Sequence, residues 1–252
     1  MSDYLLEVRG LTKRYGGLVV TDGIDLGVRR LETHALIGPN GAGKTTLINQ
    51  LSGALAPDHG SVLFDGQDVT RRSAHERAQF GLARSFQITS VLSSFTVRDN
   101  VAIAVQARSG SSFRFWRPVV REESIYTEAA RVLQLVGLEG ISGRVAGLLS
   151  HGEHRQLEIA LALATGPQLL LLDEPMAGMG PEESARMVSL IERIKPDYTI
   201  VLVEHDMDAV FRLADRISVM VAGRVVATGS PDDIRANDQV RSAYLGEEEA
   251  ST

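Results

Sequence analysis

The sequence predicts an α/β protein on a mainly parallel sheet, and three stretches of the 252-residue chain predict it. His34-Ala-Leu-Ile37 is an apolar run that opens into Gly38-Pro-Asn-Gly-Ala-Gly-Lys-Thr-Thr46 and then into a helical pattern, Leu47–Leu51. Leu169–Leu172 is four consecutive leucines followed by Asp173 and Glu174, and Thr199–Val203 is a third apolar run, ending in Glu204-His205-Asp206. Runs of this kind suit strands covered on both faces, the condition of a parallel sheet.

The totals agree with one such domain carrying a smaller inserted subdomain. The chain is 44% hydrophobic and 23% charged, ordinary for a globular protein with a large core. No apolar run approaches the ~20 residues that cross a bilayer. Met1–Val8 lacks the basic flank and long apolar stretch of a signal peptide. A cytosolic location follows, with a membrane partner left open. The absence of cysteine excludes disulfides, zinc–thiolate sites and thiol catalysis. A formal charge of −6 argues against nucleic acid as the main ligand.

In chain order, 4–8 and 24–28 alternate as strands, with a turn at Lys13–Gly17 between them. Tyr15 in that turn has two readings, a half-buried strand-end residue or a flat platform for a purine ring. Ser61–Phe64 enters a hairpin turn at Asp65-Gly66, Ser73–Phe80 is a short polar helix, and Leu82–Phe86 is a strand ending at Gln87. A glutamine there is an ordinary surface residue, or an amide oxygen that reaches a metal or a water. Thr96–Ala107 is a helix with Asp99 near its start. Ala107–Arg121 follows with four arginines, Phe113, Phe115 and Trp116, and no acid, a pattern that favours a folded-back loop or a protein contact over nucleic acid. Tyr126–Val136 is a helix stopped by Gly137, and a helical run follows Ser150 as far as Ala164. Pro181 stands before the helix Met187–Ile194. Ile217–Val221 and Arg224–Thr228 form a hairpin through Ala222-Gly223. Short helices at Pro231–Arg235 and Val240–Leu245 precede an acidic, fraying tail, 247–252.

The chemistry lies in four places. Strand, glycine-rich turn and helix are the context of a phosphate-binding loop at 38–46. Gly38, Gly41 and Gly43, with Pro39, Asn40 and Ala42 between them, let backbone N–H groups converge on phosphates beside a helix N-terminus. Lys44 can reach the β- and γ-phosphates, the Thr45 hydroxyl can ligate Mg²⁺, and Thr46 continues the helix start. Asp173 and Glu174 are costly at the end of a buried strand unless they pair or bind metal; Asp173 suits the Mg²⁺ that Thr45 touches, and Glu174 suits a base for water. His205 leaves the sheet at the same carboxyl edge and can point at the γ-phosphate. Ser150 and Glu153 have the spacing of a capping box, a complete structural account of both; with Gly152 they also build a second anion site at a helix N-terminus.

Tyr15, the loop 38–46, Gln87, Leu149-Ser-His-Gly-Glu-His-Arg-Gln156, Leu169–Pro175 and His205, in that order and spacing, resemble the nucleotide-binding subunit of ABC transporters across essentially the whole chain. The run L-S-x-G-x-x-[RQ] is the discriminating element. The resemblance implies a P-loop NTPase core with an N-terminal antiparallel β subdomain and an inserted α-helical subdomain at about 88–160. It implies that Tyr15 stacks adenine and that Gln87 links Mg²⁺ to the helical subdomain and membrane partner. Glu174 is then the catalytic base and His205 the γ-phosphate contact. Two such domains pair head to tail, a homodimer or a pair with a paralogous ATPase, so that Ser150, Gly152 and Glu153 of one close over MgATP held by Lys44 of the other.

Within that family the chain is most similar to the subunit of branched-chain (hydrophobic) amino acid importers. The residues that carry this are 85–101, the stretch between 102 and 150, L-S-H-G-E-H-R-Q-L-E-I-A, E-P-M-A-G-M, V-E-H-D-M-D-A-V-F and the ending A-Y-L-G-E. Related systems import urea and short amides or export lipopolysaccharide. His151, Glu153 and Gly180 depart from the commonest family residues, which are glycine, glutamine and Asp or Asn. The implied partners are integral-membrane permease subunits and, indirectly, an extracytoplasmic solute-binding protein, with no nucleic acid. The implied place is the cytoplasmic face of the cell membrane, as a peripheral subunit. A soluble ABC-type ATPase of DNA repair or ribosomes is the rival; long coiled-coil insertions or a second fused nucleotide domain would mark it, and the chain has neither.

Overall fold

The computed structural model describes residues 3–85, 91–108, 119–238 and 240. Gln87, most of the arginine–aromatic stretch, all but the first residue of the helix expected at Val240–Leu245, and the acidic tail lie outside the described residues. The chain divides into two compact units. Unit 1 is Met1–Arg77, Leu171–Glu174 and Asp197–Thr252; unit 2 is Ala78–Leu170 and Pro175–Pro196.

The described elements run, in chain order, β1 (Tyr4–Tyr15), β2 (Leu18–Arg29), β3 (Thr33–Ile37), α1 (Lys44–Ser52), β4 (His59–Phe64), β5 (Gln67–Asp68), α2 (Ala74–Gln79), β6 (Leu82–Arg84), α3 (Val97–Arg108) and α4 (Val119–Val136). They continue as α5 (His151–Ala164), β7 (Leu169–Asp173), α6 (Pro181–Ile194), β8 (Thr199–Val203), α7 (Met207–Leu213), β9 (Arg216–Val221), β10 (Arg224–Gly229) and α8 (Pro231–Arg235). One sheet has the order β2-β1-β4-β5 and the other β10-β9-β3-β8-β7-β6. β3 is parallel to β8 (Thr33 opposite Ile200) and to β9 (Ile37 opposite Val219), whereas β1–β2, β1–β4 and β9–β10 are antiparallel. The α/β architecture with one antiparallel and one mainly parallel sheet is therefore as expected.

β1 and β2 are each 12 residues, longer than the alternation shows. Gly10 (φ 58°) and Gly23 (φ 62°) adopt left-handed dihedrals, and the register shifts between Val8 and Leu11 and again between Leu11 and Lys13. Each shift moves side chains to the other face, so a period of two is visible only in short pieces.

In unit 1 every residue of β3 and β8 is buried. Ala35, Ile37, Val210, Ala214, Ile217, Val219 and Ile234 form one core cluster. The four leucines of β7, of which Leu171 and Leu172 belong to unit 1 and Leu169 and Leu170 to unit 2, are fully buried, each side chain contributing roughly 1.5–3 kcal/mol relative to exposure. A polar chain crosses this apolar interior. Buried His34 sets Nδ1 2.7 Å from Glu32 Oε1 and Nε2 2.8 Å from Ser218 Oγ, and Ser218 Oγ lies 2.8 Å from Thr228 Oγ1. Each buried member has a hydrogen-bond partner, the condition on which such groups are tolerated in a core.

In unit 2, α3, α4 and α5 pack on one another and α6 packs on α4 and α5. Val101, Val132, Leu133, Leu157, Met187 and Ile191 are buried among them. α4 stops at Gly137, whose φ of 79° suits the residue after a helix, and α6 begins at Pro181.

Candidate functional site

The loop 38–46 is held by close backbone approach. A Cβ on Gly38 would stand 2.1 Å from the Met220 carbonyl oxygen in β9, and one on Gly43 would stand 2.4 Å from that of Val20 in β2. Gly41 (φ 79°) and Gly43 (φ 100°) are left-handed as well. Glycine is thus required twice over at 43, by conformation and by contact. α1 begins at Lys44 with Gly43 as its N-cap, which supplies no side-chain hydrogen bond. The first N–H groups of the helix are therefore left for a ligand. Thr45 and Asn40 are exposed, and Pro39 and Thr46 half-buried.

Lys44 lies inside the loop, 8% exposed, its ammonium donating to the carbonyls of Gly38 (2.6 Å) and Pro39 (3.1 Å). Burial pulls its pKa below the ordinary lysine value, while Glu174 and Asp173 oppose that shift. The cation expected to meet phosphate therefore shares its field with Asp173, at the end of β7, and with Glu174 after it. Asp173 is half-buried at the strand end. Glu174 follows at φ 50°, a left-handed non-glycine residue whose N–H donates to Val203 O at 2.8 Å. Such strain is stored at functional sites, costing of order 1–3 kcal/mol.

The Thr45 hydroxyl and the Asp173 carboxylate are hard oxygen donors of the kind Mg²⁺ takes. Among the described residues no three His, Asp or Glu form a metal cage. One or two protein oxygens completed by phosphates and water is the usual Mg²⁺ environment, so the donor set fits.

His205 follows β8, which runs between β3 and β7 in the sheet, and its side chain is 67% exposed. Beneath it Glu204, 1% exposed, accepts from the His205 backbone N–H at 3.0 Å, with the imidazole Nδ1 at 3.7 Å. Asp206 caps α7 by accepting from Ala209 N–H at 3.1 Å. Two carboxylates thus fix the turn from which His205 projects. Tyr15 ends β1 and is 52% exposed. The Lys13 ammonium, 2.8 Å from Asp58, sits 5.8 Å from the ring centroid.

In unit 2 the capping box is present in full. Ser150 Oγ accepts from Glu153 N–H (3.2 Å), and Glu153 Oε2 accepts from Ser150 N–H (2.8 Å). Arg144 Nη1 donates to both Glu153 oxygens, at 2.9 and 3.1 Å. Gly152 is buried against α6, where an added Cβ would stand 2.8 Å from Glu183 Oε1. His151 Nε2 lies 3.2 Å from Ala177 O.

The loop, Lys44, Thr45, Asp173, Glu174, His205 and Tyr15 thus all fall in unit 1, and Ser150, Gly152 and Glu153 all in unit 2. Gln87 lies outside the described residues. Sequence reasoning missed Glu204 as the support of His205 and Glu183 as the packing partner of Gly152. Burial made both important, and the only outward signal was a charged residue beside a glycine or histidine already singled out.

Residues 21–177, more than half of the chain, match the ABC transporter family. The chain belongs to that family. As an ABC protein it is the ATP-binding subunit, the one that hydrolyses ATP. Residues 224–250 also match the branched-chain amino acid ATP-binding cassette transporter family. Among its relatives is the high-affinity branched-chain amino acid transport ATP-binding protein BraF of Pseudomonas aeruginosa, 38% identical over 98% of this chain and 100% of that one. LivG of Escherichia coli K12, named for the same transport, is equally similar, and a probable LivG of Archaeoglobus fulgidus is 36% identical over 98% and 97%. Among solved structures, an ABC transporter cassette in its ADP conformation superposes with a TM-score of 0.84 at 29% identity, covering 97% of this chain and 100% of the other. A nucleotide-free cassette gives 0.82 at 28%, covering 96% and 98%.

Proposed function

We propose that this ABC subunit powers the import of branched-chain amino acids as one of two paired nucleotide-binding domains docked on the cytoplasmic face of membrane permease subunits, downstream of an extracytoplasmic solute-binding protein. The observation that carries the substrate is the full-length similarity to BraF and LivG together with the match at 224–250. Among the described residues no helix is long and apolar enough to cross a membrane, so the permeation path belongs to other chains. Unit 2 supplies the helical subdomain, and Gln87 is the residue that would link the Mg²⁺ site to it and to the membrane partner.

ATP enters with its adenine on the exposed Tyr15 ring and its phosphates on the N–H groups of Gly41–Thr46. Lys44 exchanges its bonds to Gly38 O and Pro39 O for phosphate oxygens, a change that suits an ammonium already largely buried. Thr45 and Asp173 would hold Mg²⁺, which would supply positive charge to the phosphates. Glu174 accepts a proton from the attacking water, and His205 donates a hydrogen bond to the γ-phosphate. The capped end of α5 closes this site from the second subunit: Ser150 uses a lone pair inward on Glu153 N–H, which leaves its O–H to donate outward. Glu153, occupied by the box and by Arg144, acts by holding that end rather than by touching phosphate.

The test is ATP-dependent leucine uptake into vesicles holding the subunit, its permease and binding protein. Glu174→Gln is expected to abolish turnover while leaving ATP binding intact; a variant hydrolysing at the wild-type rate rules out the assigned base. Lys44→Ala is expected to lose ATP affinity. ATP hydrolysis stimulated by another solute and not by leucine would overturn the substrate.

A further inference from the structure

α2 reads in the sequence as a polar surface helix, yet its Arg77 has the largest fully buried side chain among the described residues, 1% exposed. Its guanidinium reaches four main-chain carbonyls. Nη1 donates to Gln50 O and Leu51 O, both at 2.7 Å, Nη2 to Thr70 O at 2.9 Å, and Nε to Arg72 O at 3.1 Å. Gln50 and Leu51 form the last turn of α1, where carbonyls have no partner within the helix and where a cation meets the negative end of the dipole. The other end of the same short helix is the phosphate loop.

The surroundings are built for this side chain. Gly53, the C-cap of α1, has φ 80°, and a Cβ there would stand 2.9 Å from Arg77 Nε and 2.9 Å from Arg72 O. Ser73 and Glu76 box the start of α2: Glu76 Oε2 accepts from Ser73 N–H (2.8 Å) and Oγ–H (2.9 Å), and Arg72 Nη1 donates to Glu76 Oε1 (2.9 Å). Burial lowers the Arg77 pKa to about 10, with Asp68 opposing, so the group stays charged at neutral pH. A buried cation facing carbonyls is expensive beside an apolar residue of similar volume, and stability alone gives little reason for it. Arg77 also ends the first segment of unit 1; at Ala78 the chain passes into unit 2.

We infer that Arg77 is a positioning residue of the nucleotide site: it clamps the C-terminal end of α1 to α2, and through α1 it sets where Lys44 and Thr45 present their side chains to MgATP. The inference rests on the ATPase reading above and deepens it.

The experiment measures kcat and KM for ATP, together with Tm, for the subunit assembled with its permease. Arg77→Lys keeps the charge but loses the fork that spans four carbonyls. It is expected to lower kcat about tenfold or more with KM changed less than threefold, since small misplacements of catalytic groups act on the transition state. Leu133→Ala, a buried change in α4, serves as the stability control; it is expected to lower Tm at least as far with kcat per folded molecule unchanged. Gly53→Ala, which pushes on Arg77 without replacing it, is expected to repeat the split and to add little in combination with Arg77→Lys. Wild-type kcat in Arg77→Lys, a matching kcat loss in the control, or full additivity of the pair overturns the inference. If Arg77→Lys does not fold, Gly53→Ala decides alone: the split supports the clamp and a normal kcat overturns it. A wild-type chain without ATPase activity would instead overturn the function beneath it.

Discussion

Ser150 offers the sharpest separation between a helix cap and a ligand contact. Its Oγ accepts from Glu153 N–H at 3.2 Å, so Ser150→Ala removes a cap worth about 1 kcal/mol. For a chain of this length that lowers Tm by about 2–4 °C. Ser150→Asp restores the cap, because aspartate is as good an N-cap as serine and its charge suits the helix N-terminus. Its Tm is therefore expected at or above wild type. Turnover is expected to go the other way. A carboxylate carries no proton to donate and, in the proposed pairing, would face the partner's phosphates, and juxtaposed like charges at an interface cost several kcal/mol. A cost of about 2.7 kcal/mol is already a hundredfold. Ser150→Asn keeps both acceptor and donor and is expected to lie between the two. The assays are thermal unfolding of the subunit and steady-state ATPase of the assembled transporter. Ser150→Asp hydrolysing at the wild-type rate would refute the reasoning and leave Ser150 as a cap only.

Gly43→Ala is expected to destabilise the subunit by more than about 2 kcal/mol, since a left-handed dihedral and a Cβ 2.4 Å from Val20 O both oppose it; denaturant unfolding measures this. Tyr15→Ala, at a half-exposed ring, is expected to leave Tm unchanged and weaken ATP binding about tenfold, read by titration with a fluorescent ATP analogue. The α2 box has a pH signature. Backbone and side-chain hydrogen bonds from Ser73, with Arg72, depress the Glu76 pKa from 4.5 to about 2. The folded value lies below the unfolded one, so the stabilisation is complete above about pH 4.5 and is lost as pH falls toward 2. Glu76→Gln is expected to lower stability at pH 7, where the carboxylate contributes in full, and to converge on wild type near pH 2, so that its acid-unfolding profile is flatter in that window.

The phosphate loop was legible because its constraints are local: β3, the glycines and α1 are contiguous, and their spacing carries the chemistry. The same holds for Ser150 and Glu153, three residues apart in one box, and for β7, whose four leucines announce burial on both faces. What escaped depends on tertiary contact. The stretch 73–80 shows only one apolar residue besides its alanines, so nothing local marks Arg77 as buried; its partners Gln50 and Leu51 lie 27 and 26 residues away. β1 and β2 were cut short because bulges at Gly10 and Gly23 break the alternation that reveals a strand. α7 went unread because seven residues after Asp206 hold too few turns to show a period. Glu204 was seen as a strand-end acid, and only its burial beneath His205 gave it a task.

The hydrogen-bonded chain of Glu32, His34 and Ser218 has a consequence for how this sequence can drift. Changing His34 alone to leucine takes one partner from the Glu32 carboxylate, which keeps the Arg29 N–H, and one from the Ser218 hydroxyl, which keeps Thr228; leaving buried polar atoms short of a partner costs about 1–3 kcal/mol each, a large share of the stability of a typical domain. Changing all three to apolar residues of similar volume can be neutral. The two solutions are thus separated by poorly folding intermediates, although β3, β8 and β9 would look the same in either. The three positions are expected to be inherited or exchanged as a block, while Thr228, exposed at the end of the chain, is free to vary.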